Sequence, residues 1–325
     1  MLIDKFGRHA TDLRISVTDR CNYRCVYCMP ASVEWLPKPQ ILTFEEIEFF
    51  TRIFVDEGVT QLRITGGEPL VRRNVNKLIE RLAGLNGVRD ISLTTNGYFL
   101  KQQAQSLKDA GITRINISLD TLRPDRFAEI TRTDSFERVI EGIEEARKVG
   151  FDPIKINCVA IRGFNDDEIV SFLNWGAKNH LQIRFIEFMP LDGDHHWKRE
   201  NVMTKREILE QARQFGFIKE IIENEPAPAT KFSYAAGTAE FGVIPSVSEP
   251  FCASCSRIRI TADGKFRTCL FAIEETDLRG PLRAGASREE LACLLRESVA
   301  HKWAGHKIND PDFEQPKRAM YAIGG

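Results

Sequence analysis

The sequence predicts an α/β fold, a partial (β/α)6 TIM-type barrel followed by a C-terminal extension. Three observations point to it. Six short β-rich runs, at 12–18, 61–65, 90–95, 114–119, 154–160 and 183–189, alternate with helical patterns whose apolar residues recur three and four apart. Such alternation implies a parallel sheet with crossover helices. The runs are flanked, mostly at their C-terminal ends, by unusual polar or glycine chemistry: Thr65-Gly66-Gly67-Glu68-Pro69, Thr94-Thr95-Asn96-Gly97, Ser118 with Asp120, and Glu187 with Met189. A site fed by so many strand ends suits a barrel mouth better than the one crevice of a doubly wound sheet, and six strands instead of eight make the barrel partial. The rhythm stops after Pro190.

Each element follows in order. Thr43 with Glu46 forms a capping box that opens the first helix, and Phe44, Ile47, Phe50 and Phe54 give that helix an apolar face. Patterns at 75–83, 100–110, 136–149 and 167–178 supply the next four helices. Beyond Pro190, residues 192–196 read as loop, 204–215 as helix, and Glu225-Pro226-Ala227-Pro228-Ala229 as a connection. Short strands at 241–244, 257–261 and 265–270 come next, with Ala262-Asp263-Gly264 as the hairpin turn between the last two. Ser287 with Glu290 caps a helix that runs to about residue 303. The expected division is 1–200 for the barrel and 201–325 for the extension, with a soft boundary inside 190–225.

The chain has 325 residues, 42 % hydrophobic and 28 % charged, a balance that excludes a wholly disordered or fibrous protein. Its 45 basic and 46 acidic side chains leave a net charge of −1, so no global charge argues for nucleic acid or an anionic membrane. No apolar run is long enough to span a bilayer. Asp4, Lys5 and Arg8 stand where a secretory signal needs apolar residues, so the expected location is the cytoplasm. Neither nucleic acid nor membrane is an expected partner.

Eight cysteines are too few for a disulfide scaffold, and their placement is informative. Cys158 and Cys293 stand alone and read as small buried hydrophobes, while His195 and His196 read as ordinary loop. Cys21, Cys25 and Cys28 follow the first strand, so one loop can aim three thiolates at a single centre. Thiolates suit iron–sulfur clusters and zinc, and a closed zinc site needs a fourth ligand that the neighbouring sequence lacks. Cys252 and Cys255 have two residues between them, and the hairpin returns Cys269 towards them. On spacing, this second trio is a zinc knuckle completed by a distant histidine or a second iron–sulfur site. Arg257 and Arg259 share one face of the following strand. They bind a polyanion there, or they are a solvated pair.

The first trio, with Tyr27 just before its last cysteine, resembles the signature of radical S-adenosylmethionine (SAM) enzymes. Gly66-Gly67-Glu68-Pro69 is similar to the second motif of those enzymes, which contacts the SAM amino group; alone it also reads as an ordinary turn. Both trios, Arg14 ahead of the first, and the terminal Gly324-Gly325 together resemble the GTP 3′,8-cyclase family of molybdenum cofactor biosynthesis, over essentially the whole chain.

That resemblance implies two 4Fe–4S clusters and SAM as cofactors, with Cys21, Cys25 and Cys28 on one cluster and Cys252, Cys255 and Cys269 on the other. It implies that the first cluster makes a 5′-deoxyadenosyl radical and the second holds the guanine of GTP. The radical then takes the C3′ hydrogen, C3′ attacks C8, and reduction gives 3′,8-cyclo-7,8-dihydro-GTP. Tyr27, Gly67, Ser118 and Met189 match SAM contacts, and Arg14, Arg63, Thr94, Lys155, Arg257, Ile258 and Arg259 match GTP contacts. Arg184 resembles a further basic residue of the chamber, and Arg257, Arg259, Gly324 and Gly325 match residues that act in the reaction. A chain end alone reads more simply as a tail. No Walker A sequence is present, so a triphosphate with about four negative charges needs arginines and lysines instead. Implied partners are a flavodoxin- or ferredoxin-type electron donor and a downstream cyclic pyranopterin monophosphate synthase; a homodimer is compatible. Two other readings stand beside this one: a peptide-modifying radical enzyme with an auxiliary cluster, and a non-catalytic zinc-binding interaction protein.

Overall fold

The computed structural model describes the chain except for residues 31, 223–226 and 325. Gly325 and part of the expected 225–229 connection lie outside the described residues.

Five βα repeats and a sixth strand build the centre. They run β1 (Asp12–Ser16), α1 (Phe44–Asp56), β2 (Gln61–Thr65), α2 (Val75–Ala83), β3 (Asp90–Thr95) and α3 (Leu100–Asp109). They continue with β4 (Arg114–Ser118), α4 (Pro124–Thr131), α5 (Phe136–Lys148), β5 (Ile154–Ala160), α6 (Ile169–Asn179) and β6 (Gln182–Glu187). These six strands lie side by side in chain order, all parallel. The expected capping box at Thr43 is present, with Glu46 N–H on Thr43 Oγ1 at 3.1 Å and the Glu46 carboxylate on Thr43 N–H at 2.7 Å.

The remaining elements are α7 (Lys205–Ala212), β7 (Lys219–Ile221), β8 (Thr230–Tyr234), β9 (Ala239–Ile244), β10 (Arg257–Ile260), β11 (Lys265–Arg267), β12 (Thr276–Asp277), α8 (Arg279–Arg283), α9 (Arg288–Ala300) and α10 (Met320–Ile323). β9 joins β6 and β10 joins β1, both in parallel, so strands from the C-terminal region extend both edges of the six-stranded sheet. The sheet stays open, ending on β12 at one side and β7 at the other. The helix expected over 204–215 is α7 followed by one tight turn at Arg213–Phe215. α4, β7, β8, β12, α8 and α10 are not expected from periodicity. The lone cysteines differ from one another: Cys158 is buried in β5, but Cys293 is exposed on α9, a correction to the reading of both as core.

The pleat sorts the sheet into two faces. Leu13, Ile15, Leu62, Ile64, Leu93, Ile115, Ile156 and Phe185 are fully buried in the core, together with apolar residues of the surrounding helices. Arg14, Arg63, Ser92, Asn116, Lys155 and Arg184 alternate with them and line the other face.

Glu187, wholly buried at the end of β6, ties the C-terminal region to this sheet. Its carboxylate accepts backbone N–H groups from Lys205 at 2.8 Å and from Val247 and Ser248 at 2.7 Å, plus the Ser248 hydroxyl. Removing that acceptor strands several buried donors, each costing about 1–3 kcal/mol. Glu187→Ala is expected to lower unfolding stability by about 3 kcal/mol or more, and Glu187→Gln by less, because one carbonyl oxygen remains. Urea denaturation of the metal-free protein measures both.

Candidate active site

The first cysteine loop is fastened to the loop that follows β2. Gly67 N–H donates to Thr18 O at 2.7 Å and Glu68 N–H to Arg20 O at 2.8 Å. A Cβ on Gly66 would lie 2.7 Å from Thr18 O, and one on Gly67 only 2.5 Å from Arg20 O. Glycine is needed here because the two backbones nearly touch. The buried Glu68 carboxylate then accepts from Leu70 N–H at 3.0 Å, Asn96 N–H at 2.6 Å and Thr95 Oγ1 at 2.7 Å, while burial pushes its pKa up to about 7. Asn96 Nδ2 in turn reaches Cys21 Sγ at 3.8 Å. Tyr27 donates to Asp120 Oδ2 at 2.7 Å, and Asp120, raised to about 6 by burial, also accepts from Val159 N–H at 2.8 Å.

Cys21, Cys25 and Cys28 are half-buried free thiols. Burial raises all three pKa values, Cys21 to about 12, and the proximity of Cys21 and Cys28 to Cys25 adds to it. The donor set suits a soft metal centre, whose binding would expel these protons.

The polar face below this loop concentrates positive charge. Arg14 pairs in register with Arg259 on β10 and with Arg63 on β2, so three guanidiniums form one row. Arg14 Nε and Arg63 Nε are buried without a hydrogen-bond partner among the described residues. Burial, with repulsion from Arg257, brings Arg259 down to about 9; burial, with repulsion from Arg184 and Arg114, brings Lys155 down to about 7. Arg184 Nη1 donates to Asn116 Oδ1 at 3.4 Å. Thr94 neighbours Asn116, and Ser118 neighbours Asn157, along the same rows. Ile258 differs from its flanking arginines. Its side chain is fully buried in the apolar core, so only its backbone belongs to the β10 edge of this face.

The second trio begins in the turn Cys252–Ser254 ahead of β10, and Cys269 follows β11. Burial raises the Cys252 thiol, and the charges of Cys269 and Cys255 add to it, so the three lie in one neighbourhood. Cys255 is brought down to about 7, because Arg257 and Lys302 outweigh its burial. Among the described residues, no three His, Cys, Asp or Glu side chains close around a position for a single ion.

The C-terminal segment runs between the two trios. A backbone hydrogen bond from Tyr321 reaches the Cys28 thiol, and Ile323 shares an apolar cluster with Met189 and Cys269. Gly324 is buried with φ +73°, and a Cβ on it would sit 3.0 Å from Thr65 Cγ2 and 3.2 Å from Ser16 Cβ. Its carbonyl accepts from the Arg259 guanidinium. Asn157 is not among the site residues read from sequence, although its Oδ1 is buried without a partner among the described residues. The signal was available, since Lys155 and Asn157 are polar residues two apart in an otherwise apolar strand.

Comparison with known proteins accords with this geometry. A family model described as the radical SAM superfamily matches residues 15–176, and one described as Molybdenum Cofactor Synthesis C matches residues 181–308. A GTP 3′,8-cyclase of Streptomyces coelicolor is 49 % identical over 100 % of this chain and 96 % of its own length. One from Rhodopirellula baltica is 46 % identical over 100 % of this chain and 92 % of its own. The crystal structure of Streptococcus suis SuiB bound to S-adenosylmethionine superposes with a TM-score of 0.66 at 16 % identity, over 96 % of this chain and 76 % of that one, a likeness of fold. The chain belongs to the GTP 3′,8-cyclase family, within the radical SAM superfamily.

Proposed function

We propose that the protein converts GTP to 3′,8-cyclo-7,8-dihydro-GTP in molybdenum cofactor biosynthesis. The observation that carries this reading is the row Arg259–Arg14–Arg63, in which Arg259 is buried, Arg14 and Arg63 are half-buried, and the Nε atoms of those two have no hydrogen-bond partner among the described residues. Clustered guanidiniums in low dielectric call for a polyanion, and a nucleoside triphosphate supplies one.

Cys21, Cys25 and Cys28 would hold one 4Fe–4S cluster, and Cys252, Cys255 and Cys269 a second. When bound, the first cluster with SAM supplies the 5′-deoxyadenosyl radical that takes the ribose C3′ hydrogen. The protein's part is placement. Tyr27, fixed by Asp120, together with Gly67, Ser118 and Met189, orients SAM at the strand ends. Arg14, Arg63, Thr94, Lys155, Arg184, Arg257, Arg259 and the Ile258 backbone hold GTP. The Gly324 carbonyl lies against the Arg259 guanidinium, and the terminal double glycine keeps water from the reacting atoms. A flavodoxin- or ferredoxin-type donor supplies electrons, and a cyclic pyranopterin monophosphate synthase takes the product. No helix among the described residues is long and apolar enough to cross a membrane.

The test is anaerobic reconstitution, reduction, and incubation with SAM, with and without GTP. Formation of 5′-deoxyadenosine that depends on GTP, in protein holding about eight irons per chain, is expected; GTP-independent turnover or bound zinc contradicts the reading. Arg257→Ala and Arg259→Ala are each expected to lower kcat/KM for GTP at least about tenfold, the size of one lost charge-assisted contact, with iron content unchanged. Wild-type kinetics would remove these arginines from the site. Deleting Gly324 and Gly325 should abolish cyclisation while circular dichroism still reports a folded protein; a fully active truncation contradicts the role of the tail.

A further inference from the structure

Two buried cations grip the second cysteine loop from behind, one from each end of the chain. Lys302 lies just past α9 and is 4 % exposed. Its Nζ donates to Cys255 O and Arg257 O, both at 2.9 Å, and stands 4.0 Å from Cys255 Sγ. Arg8, in a buried ion pair with Asp4, donates to Cys252 O at 2.6 Å, to Ala304 O at 2.8 Å and to Trp303 O. Asp4 is itself fixed by the N–H groups of Phe6 at 2.9 Å and Arg8 at 3.0 Å. Three carbonyls of the loop, at Cys252, Cys255 and Arg257, thus end on side-chain cations.

No carboxylate stands at ion-pair distance from Lys302 among the described residues; the charges facing it are Cys255, Cys269 and Asp4, with Arg8 opposing. A buried ammonium is expensive unless an anion is close. A cluster held by three thiolates is such an anion.

We propose that Lys302, braced by the Arg8–Asp4 pair, is a positioning residue of the second iron–sulfur site. It sets the backbone that aims Cys255 and Arg257, and its charge offsets that of the cluster. This rests on the reading of Cys252, Cys255 and Cys269 as a cluster site. The consequences are two. A nearby cation favours the reduced cluster, so its loss makes the reduction potential more negative. Loss of the bonds to Cys255 O and Arg257 O also releases the strand that carries Arg257, which lies over Phe251 at 4.6 Å, so GTP binding weakens.

The experiment compares Lys302→Met and Lys302→Arg in the full chain, reconstituted anaerobically. Redox titration followed by EPR, with Cys21, Cys25 and Cys28 replaced by serine so that one cluster remains, reads the potential. Kinetics with all cysteines intact read KM for GTP. Lys302→Met is expected to shift the potential negative and to raise KM several-fold with a smaller change in kcat, and Lys302→Arg to restore both towards wild type. If Lys302→Met fails to retain the second cluster, retention by Lys302→Arg supports the clamp. Unchanged potential and KM in Lys302→Met, or no rescue by Lys302→Arg, overturns it. Wild-type protein that binds one cluster only, or zinc at the second trio, defeats the underlying reading and the clamp together, and iron, sulfide and zinc analysis of the wild type identifies that case.

Discussion

Positive charge gathered on one face of the sheet, with Asp12 near it but no carboxylate at ion-pair distance from Arg14, Arg63 or Arg259 among the described residues, is the constraint on which the rest of this structure depends. Arg14 stands between Arg259 and Arg63 in the strand register, with Arg257 close enough to depress its pKa further. In most interiors such a row would be destabilising, since each guanidinium loses hydration and gains repulsion. It persists because the apolar face of the same strands is fully committed to the helices. The polar side is therefore fixed by pleat geometry, and anions are what relieve the repulsion there.

The loops above this row are rigid for a different reason. Gly66 and Gly67 let two backbones meet at hydrogen-bond distance, and Glu68 and Asp120 spend buried carboxylates on holding neighbouring loops and Tyr27. Both acids gain pKa from burial, so their cost is carried by the fold. The cysteines inherit this order: Cys21 touches Asn96, which is itself bonded to Glu68.

Most of this was legible in the sequence where the signal is local. Strands 61–65, 90–95 and 154–160 and helix 75–83 coincide with β2, β3, β5 and α2, because alternation and helical spacing both report a buried face. α4 went unread although Pro124 opens it, since eight residues give little periodicity. β7 has two exposed residues of three and no alternation to detect. The arginine row was visible only as separate residues, because the registers that align Arg14, Arg63 and Arg259 join distant segments. The grip of Lys302 and Arg8 on the second cysteine loop has no local signature, since Lys302 meets Cys255 and Arg257 more than forty residues back and Arg8 meets Cys252 across most of the chain. Ile258 shows the converse limit, since a motif names three consecutive residues while a strand turns only alternate ones to the same side.

The addition of β9 and β10 to opposite margins has a kinetic meaning. Asp12 finds Arg257 as its neighbour, so the first strand to be synthesised waits for almost the last quarter of the polypeptide before that margin is covered. Before β9 emerges a nascent six-stranded core offers two raw ladders of backbone donors and acceptors to any passing strand, and until β10 follows the β1 ladder stays open. Long-range closure of this sort is slow and exposes the chain to misassembly, so chaperone protection during translation matters more here than for a barrel that seals itself locally.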